Sequence, residues 1–559
     1  MPVAIEQETF TNIAAHLPAM AERQPETLAV ACPVRRGSGG QVEYAQLSFD
    51  ELNRESDLLA GGLDKIGIGR GIRTVLMVKP SLEFFALTFA IFKAGAVPVF
   101  VDPGMGIHNL KQCLHEAEPE AFIGIPKAHA ARVILGWGRQ TLKHLVTVGR
   151  RWFWRGHSLS DVRRLGNAND TYEMSDTNPG DTAAILFTSG STGVPKGAVY
   201  THSNFTAQVE ALRKLYDIQP GEIDLPTFPL FALFDPALGM SAIIPDMDAT
   251  RPGFVEPRNI LEPIERFKVT NMFGSPALIR RVAYSKEAEG KKLDSLKRVI
   301  SAGAPVASEV IEQFSRLLPA GTQIHTPYGA TESLPVASIG SEEILGETRQ
   351  ATDAGKGVCV GRPVDEAEVF VIRITDEPIE EWSEKLRLSD GEIGEITVRS
   401  PMVTHRYYNR DESTRLAKIK DTRNTDNKVF HRMGDLGYFD EQGHLWFCGR
   451  KAHRVQTETE TLFTVCCESV FNVHEKVFRT ALVGVGNPGQ QRPVLCVELQ
   501  EGLTDWSTVR DDLQKLGEQY EHTRPIQTFL KHSSFPVDIR HNAKIFREQL
   551  AAWAEEQLR

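Results

Sequence analysis

FTSGSTGVPKG, residues 187–197, is the stretch on which the reading of this chain turns. It collects glycines, one proline, one lysine and the hydroxyls of Thr188, Ser189, Ser191 and Thr192. Backbone N–H groups and hydroxyls in such a loop can wrap an anion, and a lysine adds a point charge. DTAAILFT (181–188) predicts a strand feeding directly into the loop, and GAVYTH (197–202) predicts a second short strand after it. A kinase or GTPase phosphate loop needs two glycines with four residues between them, then Lys and Ser or Thr, with a helix starting at once. Here Pro195 stands where the second glycine would fall after Gly190, and Lys196 is followed by Gly197 and a strand. That reading fails on geometry. What remains is a hydroxyl-rich turn between two strands, suited to the terminal phosphates of a nucleotide.

Outward from the loop, strand-like and helix-like segments alternate through most of the first 440 residues, which argues for α/β layers. VLMVKP (75–80) reads as a buried strand, and EFFALTFAIFKAG (83–95) as a buried helix closed by Gly95. A helix follows GAVYTH, with Ser203 as its expected N-cap and Phe205, Val209, Leu212 and Leu215 on one face. RVISAGAPV (298–306) repeats the pattern of a strand running into a loop of small residues. SEEILGETRQATDAGKG (341–357) reads as an exposed connection. RRWFWRGHSLSDVRR (150–164) mixes arginines with aromatics; it could touch a membrane surface or a partner protein, or fold back on its own rings. At 559 residues the chain exceeds one ordinary core, and near residue 450 its texture changes, leaving room for a small α+β unit.

Composition narrows the class. The net charge is −10 with Lys and Arg scattered, which disfavours nucleic-acid binding. The first residues show no basic start and no apolar core of a secretory signal, and the longest apolar run, FFALTFAIF (84–92), is too short to span a bilayer. Seven cysteines without metal-type spacing fit the reduced thiols of a cytoplasmic protein, and adjacent Cys466 and Cys467 read as buried residues rather than a redox pair.

The loop resembles the phosphate-binding signature of the adenylate-forming superfamily, which includes acyl-CoA synthetases, peptide-synthetase adenylation domains and luciferases. Four further blocks follow in that family's order. The resemblance implies a large N-terminal domain of layered α/β subdomains (1–450) that binds ATP and the acyl group, and a small, mobile α+β lid (451–559). It implies that Thr188, Ser189, Gly190, Ser191, Thr192, Gly193 and Lys196 hold phosphate. SAGAP (301–305) resembles the adenine loop, through Gly303, Ala304 and Pro305. In YGATES (328–333), Tyr328 and Gly329 would lie against adenine, Thr331 would contact the α-phosphate and Glu332 would hold magnesium. A hard cation bridging phosphates suits a carboxylate, and an aromatic face suits a base. In HRMGDLGYFDEQGHLWFCGR (431–450), Asp435 matches the carboxylate that accepts the ribose hydroxyls and Arg450 a ribose and phosphate contact. FPVDIRHNAKIFR (535–547) places Lys544 where the adenylation lysine belongs, so Lys544, Thr331 and Lys196 are the implied catalytic set, with ATP and Mg2+ as cofactors.

Three departures touch the thioester half of the family's chemistry. The hinge position is Ala452 rather than Asp or Lys, the loop that often carries Gly-Gly has Glu458 and Thr459, and the position that often holds a thiol-tunnel His is Ala232. A glutamate in place of glycine would obstruct a pantetheine arm and repel its phosphates. Among adenylate-forming enzymes the chain is most similar to the β-lactone synthetases of bacterial long-chain olefin biosynthesis, which implies a long-chain 2-alkyl-3-hydroxy acid substrate and, as partners, other enzymes of that route. Intramolecular delivery of the 3-hydroxyl supplies an effective molarity on the order of 10⁵ M or more. Phe231, Leu233, Phe234, Met240 and Phe273 are the candidate acyl-pocket residues, equally readable as plain core. The alternatives are a fatty acyl-CoA or acyl-AMP ligase, and a silent nucleotide-binding partner.

Overall fold

The computed structural model describes residues 11–37, 39–166, 172–188, 195–423, 428–503, 505–537 and 545–559, without the side chains of Pro103 and Thr188. Residues 189–194 of the phosphate loop and Lys544 therefore lie outside the described residues.

Two large sheets carry the molecule. The first has seven strands in the order His157–Ser158, His144–Thr147, Ala121–Gly124, Arg73–Met77, Val97–Val101, Thr182–Thr188 and Lys196–Thr201, parallel except for the last pair. The second has nine, with a parallel centre that includes Ile223–Pro226, Asn271–Phe273, Arg298–Ile300 and the start of Gln323–Ala330. Between them lie the helices Leu82–Lys93 and His202–Tyr216, whose aromatic and aliphatic side chains share one core. The first helix is apolar all round because sheet and helices cover every side of it, and Gly95 turns the chain out of it at φ +68°. Its Lys93 is buried against Asp57 and the Asn53 side chain, 2.6 Å from each. The second helix starts two residues earlier than its sequence suggests. Thr201 is the N-cap in place of Ser203, because Thr201 and Asn204 satisfy each other's backbone N–H groups in a capping box.

A third, antiparallel sheet contains Gly394–Arg399, Val429–Phe439 and Leu445–Arg450. Past it, the strands Val477–Val485, Arg492–Leu499 and Thr528–Lys531 form their own sheet, with the helices Thr464–Asn472 and Arg547–Leu558 packed on it. The third sheet and this unit meet closely: a Cβ on Gly449, at φ +128°, would sit 2.5 Å from Thr464 Oγ1. All seven cysteines are free and buried. Among the described residues no helix is long and apolar enough to cross a membrane.

One segment differs from its sequence reading. Residues 341–357 are largely helical rather than an open connection, and Ile344, Thr348 and Arg349 line the central cleft. Within 150–164 the chain folds back in part. Trp154 folds back, stacked on His129 and donating to Thr147 Oγ1 at 2.9 Å, while Trp152 and Phe153 stay exposed.

Candidate active site

The loop strand and its partner set the geometry. Thr188 pairs with Lys196 and Phe187 with Gly197 across the hairpin. A side chain at 197 would meet Ile185 and Phe187 at 2.9 Å, so only glycine lets the two strands approach there. The segment around Tyr407 runs along the other side of Lys196–Thr201, bonded through Tyr408 N to Gly197 O at 2.8 Å. This places the Lys196 ammonium 5.3 Å from the centre of the Tyr407 ring.

Thr331 and Glu332 are the two turn residues joining the strands Gln323–Ala330 and Ser333–Gly340. Their backbone is pinned: Tyr200 Oη donates to Thr331 O, and Thr404 N donates to Glu332 O at 2.9 Å. The Glu332 carboxylate accepts from Tyr407 Oη at 2.5 Å. Beneath it, Lys418 is buried with its ammonium 3.4 Å from Thr404 Oγ1, and burial pulls its pKa down to about 7. His431 is likewise held neutral by burial and by Lys418 beside it. Among the described residues there is no cluster of three or more metal-ligating side chains. The single Glu332 carboxylate is a hard oxygen donor of the kind that suits a cation carried mainly by nucleotide phosphates, as Mg2+ usually is.

Asp435 and Arg450 face each other in register on the strands Val429–Phe439 and Leu445–Arg450. Arg450 Nη1 lies 2.9 Å from Asp435 Oδ1, and Tyr328 Oη donates to Asp435 Oδ2 at 2.7 Å. Burial raises the Asp435 carboxyl above its usual range, against the pull of Arg450. Asp435 in turn holds Arg450 protonated. Gly303, at φ +99°, lets the 301–305 loop turn across the strand ends toward Tyr328.

These residues surround one cleft of about 2310 Å³. Lys196, Gly303, Ala304, Pro305, Tyr328, Gly329, Thr331, Glu332, Asp435 and Arg450 line it, and so do all five proposed acyl-pocket residues. The 3₁₀ turn Phe231–Leu233 acts as a wedge in its apolar part. Phe231 packs on Phe273 with ring centres 4.5 Å apart, while Phe234 points the other way, 5.9 Å from Phe205, which itself meets Phe92. Aromatic packing therefore runs in two directions from one turn. Ala232, within that turn, is buried. Glu458 and Thr459 sit in a tight turn held by Thr457, whose backbone N–H donates to Glu460 O at 2.9 Å and whose hydroxyl oxygen accepts from Glu460 N at 3.0 Å. Ala452 lies in the short turn Lys451–His453.

Sequence reasoning missed Tyr407, Lys418, Asp224 and Asp235, all of which the fold brings to this region. For the last three a signal existed, since each is a charge set in an apolar run: LAKIK, EIDLP and LFDPAL.

A cleft at the loop ends of two parallel sheets, with a glycine- and hydroxyl-rich hairpin on one side and a buried carboxylate–arginine–tyrosine group on the other, defines a nucleotide-dependent enzyme of the adenylate-forming fold. The chain belongs to the AMP-binding enzyme family, whose model matches residues 17–408. It is 54% identical over 553 residues to a protein named olefin beta-lactone synthetase from Xanthomonas campestris pv. campestris, covering 98% of each chain. A protein of the same name from Stenotrophomonas maltophilia is 52% identical over 550 residues, again covering 98% of each. Among solved structures, an amide bond synthetase from Marinactinospora thermotolerans shares the fold at a TM-score of 0.77 and 22% identity, over 97% of this chain and 99% of that one.

Proposed function

We propose that this enzyme activates a long-chain 2-alkyl-3-hydroxy acid with ATP as the acyl adenylate, and that the acid's own 3-hydroxyl then displaces AMP to close a β-lactone. The observation that carries the reading is the end-to-end similarity to two proteins named olefin beta-lactone synthetase. The cleft supports it. Lys196 and the 189–194 loop take the phosphates, Tyr328 and the 301–305 loop take the base, Asp435 and Arg450 take the ribose, and Glu332 holds Mg2+, whose charge would offset that of the phosphates. Thr331 and Lys544 face the α-phosphate, with 451–559 serving as the lid that carries Lys544. The apolar part of the cleft, with aromatic side chains on both sides of the Phe231–Leu233 turn, suits the two alkyl arms of a 2-alkyl acid. The closed turn at Glu458 and Thr459, and the buried methyl of Ala232, suit a reaction that admits no thiol.

The test is incubation with ATP, Mg2+ and a 2-alkyl-3-hydroxy acid, without coenzyme A. A β-lactone, AMP and pyrophosphate are expected in equal amounts, and coenzyme A should neither speed the reaction nor divert it. A 3-deoxy analogue should give one equivalent of pyrophosphate per enzyme and then stall. Steady turnover of a simple fatty acid to its coenzyme A thioester would overturn the reading in favour of an acyl-CoA ligase.

A further inference from the structure

At the base of the Phe231–Leu233 wedge lies a group of polar side chains that adenylation does not use. Asp224 comes from the strand Ile223–Pro226, and Asn271 stands beside it in register on Asn271–Phe273. Asp235 opens the short helix that follows Phe234. All three are 3% exposed, and all three line the cleft. Asn271 Nδ2 donates to Asp224 Oδ1, and the two carboxyls hydrogen-bond to each other. Asp235 Oδ2 and Asn271 Oδ1 are fully buried and meet no other hydrogen-bond partner. Unpaired buried polar atoms cost about 1–3 kcal/mol each, so a buried carboxyl pair whose residues line a substrate cavity points to a polar group on the substrate.

On the β-lactone reading, that group is at hand. The 3-hydroxyl sits where the two alkyl arms part, and Asp235 directly follows Phe234 at the end of the wedge. We infer that Asp235 and Asp224 together are the base for ring closure, with the Asp235 carboxyl touching the substrate's 3-hydroxyl. As the hydroxyl oxygen attacks the acyl carbon, its proton passes to Asp235 and the proton already held between the two carboxyls shifts to Asp224. The new C–O bond closes the four-membered ring, the acyl C–O bond to phosphate breaks, and AMP leaves with that electron pair. Nothing is oxidised or reduced. The extra proton returns to water once the products depart.

The electrostatics agree with this role. Burial raises Asp224 to about 7 and raises Asp235 as well, Asp235 also through the like charge beside it. A pair carrying one proton near neutral pH can accept a second. Charged and titratable groups on the neighbouring elements are already engaged. Arg298 is already engaged by Glu222, Arg213 donates to Ala237 O at 3.1 Å, and the neutral Tyr216 and His325 rings stack with centres 5.3 Å apart.

The experiment compares wild type, Asp235→Asn and Asp224→Asn, using a 2-alkyl-3-hydroxy acid and its 3-deoxy analogue. With the analogue, all three should release the same single equivalent of pyrophosphate within about threefold in rate. With the hydroxy acid, each variant should form lactone about 100-fold or more slowly, and the acyl adenylate should accumulate. The wild-type ring-closure rate should rise with pH through about 7, and the variants should lack that rise. Lactone formation by either folded variant within threefold of wild type overturns the proposal, and so does an equal loss of the adenylation burst, which would mark a structural role. Should neither variant fold, a wild-type ring-closure step that is flat between pH 6 and 8 overturns it as well. Wild-type enzyme that adenylates the acid but makes no lactone is a separate result, one that removes the parent reading before any variant is needed.

Discussion

Tyr407→Phe removes one oxygen atom and asks what it does for Glu332, the carboxylate proposed to hold Mg2+. In the native structure the phenol donates to Glu332 Oε1 at 2.5 Å. A hydrogen bond to an ionised group contributes about 1.5–3 kcal/mol, so its loss corresponds to roughly 10- to 150-fold in an equilibrium the carboxylate controls. The substitution is clean. The ring under the Lys196 ammonium remains, and the Thr331–Glu332 turn stays pinned through Tyr200 and Thr404. What changes is the orientation of the Glu332 side chain. Pyrophosphate release measured against Mg2+ concentration at fixed ATP should show half-saturation shifted upward by about tenfold or more. At saturating Mg2+ most of the rate should return, and ATP binding in the absence of Mg2+ should change little. An Mg2+ profile within twofold of wild type, alongside a lowered melting temperature, would refute the reasoning and leave Tyr407 as packing alone.

Three further outcomes are expected. Lys544→Ala should slow adenylate formation by about 100-fold or more while sparing ATP binding, as read by pyrophosphate release and by calorimetry. Gly449→Ala combines a strained φ of +128° with a Cβ 2.5 Å from Thr464 Oγ1, and should destabilise the protein by about 2–4 kcal/mol, seen as a lower urea midpoint. His129, buried against Trp154, has its pKa lowered to about 4 from 6.5. Its neutral form is favoured in the folded state, so its contribution is complete above pH 6.5 and is lost as pH falls toward 4, by about 3 kcal/mol. His129→Phe should therefore flatten the acid limb of stability by about 1.4 kcal/mol per pH unit, and an unchanged slope would contradict the shift.

The parts of the fold that the sequence shows well are those where one local pattern decides the structure. The strand–loop–strand around 187–197 and the helix over 82–93 follow from apolar runs bounded by turn residues. The N-cap shift from Ser203 to Thr201 shows the limit, since both are good caps and the choice falls to Asn204, three residues after Thr201. The 341–357 stretch reads as a loop because its Gly and charged residues outweigh its apolar ones. Its helices form through packing of Ile344 and Leu345 against the second sheet's core, a contact with no local trace. The site divides in the same way. Asp435 and Arg450 lie close in sequence and pair across one hairpin. Tyr407 reaches Glu332 from 75 residues away, and Asp235 reaches Asp224 only because a short helix turns it back over the sheet.

The cysteines carry a practical consequence. Every thiol is inside; burial raises Cys32, Cys113, Cys359 and Cys496 to about 12, burial also raises Cys467, and a hydrogen bond with Cys466 together with burial raises Cys448. Thiol reagents should therefore pass over the folded enzyme. Two cysteines introduced at exposed positions, one on each side of residue 450, would be its reactive handles, so a pair of dyes could be attached without first stripping the native thiols. The distance between the proposed lid and the rest of the chain could then be followed through a full catalytic cycle.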